Sequence, residues 1–188
     1  MPAATPATYA AFLRGINVGG KNSLSMKALR SRLERLGLHD IVTYINSGNI
    51  VFRAAGANAR SLERRIDRVL SRDLGLPVKS VVRSRAEMAR LVKKIAKTWK
   101  LDPAWKYNVI LLRHTIDSPK VLDGFELKPD IERVTYCPGT LLWSARVNAL
   151  TRTAMLKVSS RPIYQDMTVR SVNTTRKVFA LMDQAPRP

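Results

Sequence analysis

Short β-branched apolar runs alternate along the chain with amphipathic stretches of helical period, and this alternation predicts the elements in order. Tyr9 to Leu13 reads as a short buried strand. Ser25 is placed to cap a helix over Met26–Leu36, with Met26, Leu29, Leu33 and Leu36 on one face and Gly37 as its stop. Ile41–Ile45 and Ile50–Arg53 read as strands joined by the tight turn Asn46-Ser47-Gly48-Asn49. Residues 54–59 form a small-residue loop. Arg60–Leu74 carries an apolar stripe of Leu62, Ile66, Val69, Leu70 and Leu74, and ends at Gly75. Pro77–Val82 supplies a fourth strand. The order is βαββαβ, the ferredoxin-like unit.

Ser84 and Glu87 form a capping box that opens another helix to about Lys97, with Met88, Leu91, Val92 and Ile95 as its core face. Trp99–Trp105 is a connector. Tyr107–Arg113 is an apolar strand, and Ser118–Gly124 a short helix or turn. Ile131–Tyr136 and Thr140–Ala145 are strands joined through Cys137-Pro138-Gly139. Leu150–Val158 reads as helix, followed by a polar stretch to Asp166, a short strand Met167–Arg170 and a closing helix Val172–Met182. The order echoes the first half, although the two sequences do not match. The expectation is an α+β protein: a ferredoxin-like unit with a glycine-rich loop over 1–84, a connecting helix and linker over 85–106, a second α+β half over 107–183, and a tail over 184–188.

Composition bounds the class. Apolar residues make up 45% of the 188, enough for a real core. One cysteine, Cys137, excludes a disulfide within the chain, and no Cys/His cluster has metal-ligand spacing. The opening MPAATPAT lacks the charged start and apolar core of a signal peptide, and no apolar run reaches the roughly 18–20 residues of a membrane span. The cytoplasm is the expected compartment, with no membrane partner. The net charge is +19. Residues 1–84 hold 14 Lys/Arg against 5 Asp/Glu, and 85–188 hold 19 against 9, so the excess is spread over both halves. Such a surface attracts phosphorylated small molecules and, non-specifically, nucleic acid.

Candidate chemistry gathers at Arg14–Ser25, RGINVGGKNSLS, between the first strand and the first helix. A glycine-dense turn at that place exposes backbone N–H groups to an anion. In a βαββαβ unit the first strand's exit and the second-to-third turn lie on one edge of the sheet, so Arg14–Asn22 and Asn46–Asn49 are expected to face each other. Arg14 and Lys21 would supply charge. Asn17, Asn22, Ser47 and Asn49 would supply directed hydrogen bonds, and Gly15, Gly19, Gly20 and Gly48 close backbone approach. Arg170 and Asn173 would join if the C-terminal segment folds back. The alternative is that these glycines, asparagines and serines serve only positive-φ turns and caps, in a structural or partner-binding domain.

Several sharper chemistries are not completed. Gly15 to Lys21 nearly spells a P-loop, but Asn22 stands where the magnesium-holding hydroxyl belongs, and Ser23 comes one residue late. G-x-G-x-x-G is absent, and no cofactor is called for. His39 and His114 are expected at the surface, and Cys137 sits in a turn as a small apolar filler. The residues therefore name no reaction. The stripe Arg60, Arg64, Arg68 and Arg72 reads as a solvated helix face, with Glu63 and Asp67 beside it diluting the field. The third strand, Ile50-Val51-Phe52-Arg53, lacks the aromatic pattern of RNA-reading sheets.

The stretches FLRGINVGGKNSLSM and TYINSGNIVF resemble a bacterial family known as a domain of unknown function, number sixteen ninety-seven. Its members open with L-R-G-I-N-V-G-G and a T-Y-x-x-S-G-N-V-V-F hairpin, and the likeness is clear over roughly the first 55 residues. Members also carry T-x-R-N-W-N-T before the last helix. Here Thr168, Arg170, Asn173 and Thr174 keep that pattern, while Ser171 and Val172 replace its Asn and Trp. The resemblance implies an α+β arrangement with ferredoxin-like parts, and no activity.

Overall fold

The computed structural model describes residues 5–14, 16, 25–75 and 77–184. Its strands are β1 (Ala7–Arg14), β2 (His39–Tyr44), β3 (Asn49–Ala54), β4 (Lys79–Ser84), β5 (Trp105–Leu112), β6 (Glu132–Cys137), β7 (Thr140–Arg146) and β8 (Met167–Ser171). Its α-helices are α1 (Met26–Glu34), α2 (Ala59–Leu74), α3 (Arg85–Thr98), α4 (Ala154–Val158) and α5 (Val172–Gln184). The strands form two four-stranded antiparallel sheets, β2-β3-β1-β4 and β6-β7-β5-β8. The first is the ferredoxin-like order. The second repeats it strand for strand, so the echo between the halves is one of topology.

The elements start and stop where local chemistry directs. The Ser25 hydroxyl accepts the Ala28 N–H at 3.1 Å and opens α1. Asn58 and Ser61 exchange capping bonds at the start of α2, whose end is turned by Gly75 at φ +64°. Glu87 accepts both the Ser84 N–H and its hydroxyl at 2.7 Å, the capping box read from sequence. The chain departs from expectation at Leu150–Val158. Val147–Arg152 is a 3₁₀ turn, Thr153 is extended at φ −75°, ψ 153°, and α4 begins only at Ala154. The Thr153 hydroxyl donates to the Leu150 carbonyl at 2.9 Å, a local bond that competes with helix continuation. Trp105, expected in the connector, is the first residue of β5.

The chain packs as two compact units. Unit 1 takes in Met1–Ala89 and Arg176–Pro188, and unit 2 takes in Arg90–Thr175. In unit 1, Tyr9, Ala11 and Leu13 of β1 join Leu29 and Leu33 of α1 and Leu62, Ile66 and Leu70 of α2 in one core. The intervening Ala10 and Phe12 are buried as well, so β1 is covered on both faces. Leu62, Ile66 and Leu70 are fully buried, which stabilises the unit by about 1.5–3 kcal/mol apiece. In unit 2, Ile110, Leu112, Leu141, Trp143, Ala145 and Met167 form the core beneath α4 and the 3₁₀ turns. Glu132 is buried in that unit and accepts bonds from Lys128 N (3.2 Å), Trp143 Nε1 (3.0 Å) and Ala154 N (2.7 Å). Each of these donors would otherwise be short of a partner.

Candidate functional site

The first strand's exit and the β2–β3 turn meet on one sheet edge. Leu13 N–H donates to the Gly48 carbonyl at 2.8 Å. Gly48 has φ +74°, and a Cβ built on it would lie 2.7 Å from Leu13 Cβ and 2.8 Å from Ile16 Cδ1. Ile16, from the RGIN stretch, is buried, so the two motif segments are packed against each other. The turn is shaped by its own side chains. Asn49 is fully buried, and its amide nitrogen donates to the Tyr44 carbonyl at 3.1 Å and to Ser47 Oγ at 3.0 Å. Ile45, at φ 49°, completes the reversal. Arg14 is partly buried at the end of β1. Gly15, Asn17, Gly19, Gly20, Lys21 and Asn22 lie outside the described residues.

Unit 2 builds the same edge with different side chains. Leu112 N–H donates to the Gly139 carbonyl at 2.9 Å, and Gly139 has φ +80°, matching the Leu13–Gly48 bond. Here the strand's exit segment supplies an acid. Asp117 Oδ1 accepts the Gly139 N–H at 2.7 Å and the Tyr136 hydroxyl at 2.9 Å. Burial, followed by this bond to Asp117, raises the Tyr136 pKa above its ordinary value. In unit 1 the matching connection carries no carboxylate: the sequence has no Asp or Glu before Glu34.

Arg170 and Asn173 belong to unit 2. The Arg170 guanidinium donates to Thr168 Oγ1 at 3.0 Å and to the Val169 carbonyl at 2.9 Å. Burial lowers its pKa to about 10, and it remains charged at neutral pH. Asn173 is exposed in the first turn of α5.

Along α2, Arg60, Arg64, Arg68 and Arg72 are all exposed, as expected of a solvated face. The acids expected to dilute them do not lie beside them. Glu63 is buried and accepts the Val82 N–H at 3.3 Å, and Asp67 accepts the Ser80 N–H and hydroxyl at 2.7 and 2.6 Å. Both are turned toward β4, because an edge strand's donors need acceptors and these two face it. Within the stripe, Arg72 pairs with Asp73 at 2.8 Å.

Other chemistries find little support. Among the described residues, no three His, Cys, Asp or Glu side chains gather to hold a metal ion, and no helix is long and apolar enough to cross a membrane. Burial raises the Cys137 thiol pKa, which makes it a poorer nucleophile at neutral pH. His39 is exposed, whereas His114 is half-buried rather than at the surface. Sequence reading passed over Trp99, Trp105 and Tyr107, which border a cleft of about 500 Å³ in unit 2. Their signal was the interleaving of three aromatics with three lysines over Lys97–Tyr107, KTWKLDPAWKY.

Comparison with known proteins places the chain. A conserved bacterial protein of solved structure, SP0830 from Streptococcus pneumoniae, is similar at 27% identity with a TM-score of 0.80, over 94% of this chain and 99% of that one. No curated protein sequence matches. The model of the family described as "Protein of unknown function (DUF1697)" matches residues 7–143, which includes both motif loops and stops short of the Thr168–Thr174 segment. The chain belongs to that family.

Proposed function

We propose that the protein binds a phosphate-bearing ligand at the unit 1 edge, with the Arg14–Asn22 loop as the contact and the Asn46–Asn49 turn as its support. The observation that carries this reading is the matched edge of unit 2. There an anionic side chain, Asp117, takes the glycine N–H of the turn at 2.7 Å. Unit 1 has the same closing bond, Leu13 to Gly48, but no acid in its strand-to-helix connection. An external anion supplies there what Asp117 supplies in unit 2. Arg14 and Lys21 bring charge to it, and Asn17 and Asn22 bring amide donors. Gly48 offers its N–H to the anion as Gly139 offers its own to Asp117, and Ser47 and Asn49 hold the turn in place.

A thermal-shift titration with inorganic phosphate and with a nucleoside monophosphate, at constant ionic strength, tests this. A ligand present at 100 times its Kd stabilises the folded state by about 2.7 kcal/mol. The shift is expected in the unaltered protein and absent in the Arg14→Ala, Lys21→Ala double variant. No shift with either compound, or a shift that survives the double variant, refutes the proposal.

A further inference from the structure

Unit 2 holds a second feature with the chemistry of a ligand site. The alternation of β5 and β7 assigns their side chains to faces. Ile110, Leu141, Trp143 and Ala145 point into the unit 2 core. Trp105 and Tyr107 are therefore on the opposite face of the sheet, paired across the ladder with Arg146 and Ser144. Ser144 is paired in turn with Arg133 of β6. On that face the Arg133 guanidinium lies over the Trp105 ring at 4.7 Å, and the Arg146 guanidinium at 5.3 Å.

The segment that follows α3 walls this face. Trp99 stands edge-on to Tyr107 with ring centroids 5.1 Å apart. The Tyr107 hydroxyl donates to the Lys100 carbonyl and accepts the Asp102 N–H, both at 3.1 Å, which pins the segment in place. Between wall and sheet is the cleft of about 500 Å³, within the usual ~300–1,000 Å³ of ligand sites. Lys97, Lys100 and Arg133 line it with positive charge. Its one acid, Asp102, already accepts the Ala104 N–H at 2.8 Å.

We propose that this cleft binds single-stranded nucleic acid, one base stacking against Trp99 and Trp105, with the flanking phosphates on Lys97, Lys100 and Arg133. Aromatic rings with basic side chains beside them are the two parts that sequence-tolerant strand binding needs. Four-stranded sheets that read RNA stack bases on aromatics in this way. The cations come from the α3 end on one side and from β6 on the other. That arrangement suits a phosphodiester chain crossing the cleft, with a phosphate on each side of the base. The inference stands independently of the phosphate site proposed for unit 1, since all its residues lie in unit 2.

The test uses the full chain and a fluorescein-labelled octathymidylate, with anisotropy read at several salt concentrations. Competitors are an abasic octamer of equal charge and thymidine monophosphate. The octathymidylate is expected to bind at least ten times more tightly than either. Trp99→Ala and Trp105→Ala are each expected to weaken it by about 5- to 150-fold, the range for loss of one base–aromatic stack, and Trp105→Phe by far less. Lys97→Ala with Lys100→Ala is expected to lower the slope of log affinity against log salt by about 1.4, the value for two phosphate contacts on a single strand. Equal binding of the abasic octamer means charge alone is at work and overturns the proposal. Equal binding of the mononucleotide overturns the strand as the occupant. The comparison of competitors needs no variant, so it decides the matter even if a tryptophan substitution unfolds unit 2. In the Arg14→Ala, Lys21→Ala background the advantage of octathymidylate over the abasic octamer and its loss in Trp99→Ala and Trp105→Ala are expected to persist, which separates this site from that of unit 1.

Discussion

Adding one methyl group at Gly48 tests whether the two motif segments are held together as described. Gly48→Ala meets two costs. The first is backbone strain: φ is +74°, and an L-residue in the left-handed region costs roughly 1–2 kcal/mol, part of which is offset by the reduced freedom of alanine in the unfolded chain. The second is steric. The new Cβ would sit 2.7 Å from Leu13 Cβ, which is fixed to the β1 backbone, and 2.8 Å from Ile16 Cδ1. Forcing an extra carbon into such a contact costs typically about 1–3 kcal/mol. Gly56 provides the control in the same unit, because it has φ +60° and nothing within 4 Å of its Cβ position. Urea unfolding followed by circular dichroism should therefore show Gly56→Ala losing about 1 kcal/mol and Gly48→Ala about 2–4 kcal/mol. Asparagine tolerates the left-handed region yet still carries a Cβ, so Gly48→Asn should remain costly where Gly56→Asn is nearly neutral. If Gly48→Ala and Gly56→Ala agree within about 0.5 kcal/mol, the close packing of Leu13 and Ile16 on the turn is wrong.

Glu132→Ala should lower the stability of unit 2 by about 3–5 kcal/mol, because the indole of Trp143 and two backbone N–H groups lose their acceptor, and Glu132→Gln should fall between it and the unaltered protein. A loss below about 1 kcal/mol in a urea titration of Glu132→Ala would show that water replaces the carboxyl group. Stability should also decline in alkaline solution. Burial first, and the nearby Glu87 second, raise the Tyr9 pKa above 10.0, while its hydroxyl donates to the Ala57 carbonyl at 2.6 Å. The unfolded tyrosine ionises first, so this contribution is complete below pH 10.0 and is lost as pH rises toward the higher folded value. Thermal melts of Tyr9→Phe across that range should show a shallower decline than the unaltered protein, and identical slopes would remove Tyr9 as a cause.

Much of the fold was legible because its signals are local. The short apolar runs of β1, β3 and β7 and the stripe Leu62, Ile66, Leu70 each report their own element. The Ser84–Glu87 box did the same for α3. The helix over Leu150–Val158 was misread because nothing in the apolar spacing reveals that the Thr153 hydroxyl will bond backward to Leu150. The likeness of the two halves was visible only as an order of elements. Strand order is a matter of long-range pairing, and Leu13–Gly48 and Leu112–Gly139 match as bonds without matching as sequence. The motif edge was placed from topology alone, since the exit of β1 and the β2–β3 turn must share an end of the sheet. The inward turn of Glu63 and Asp67 could not be read, because a helix periodicity does not say which donors an adjacent strand will leave open. The aromatic cleft was missed for a related reason: Trp99, Trp105 and Tyr107 are close in sequence, but only the sheet register shows that two of them share a face with Arg133 and Arg146.

The division of the chain sets an order of events during synthesis. Unit 1 contains the first strands yet also draws on residues from Arg176 onward, where Asp183 pairs with Arg85 and Phe179 lies beneath the same guanidinium at 5.9 Å. At a ribosomal rate of about 5–20 residues per second, the intervening stretch Arg90–Thr175 takes about 4–17 s to be synthesised. Every residue of unit 2 is then in the chain while unit 1 still lacks its last helix. The unit that begins to fold first is the one that finishes last, and through that interval the nascent chain carries a ferredoxin-like sheet whose C-terminal helix has not yet been made.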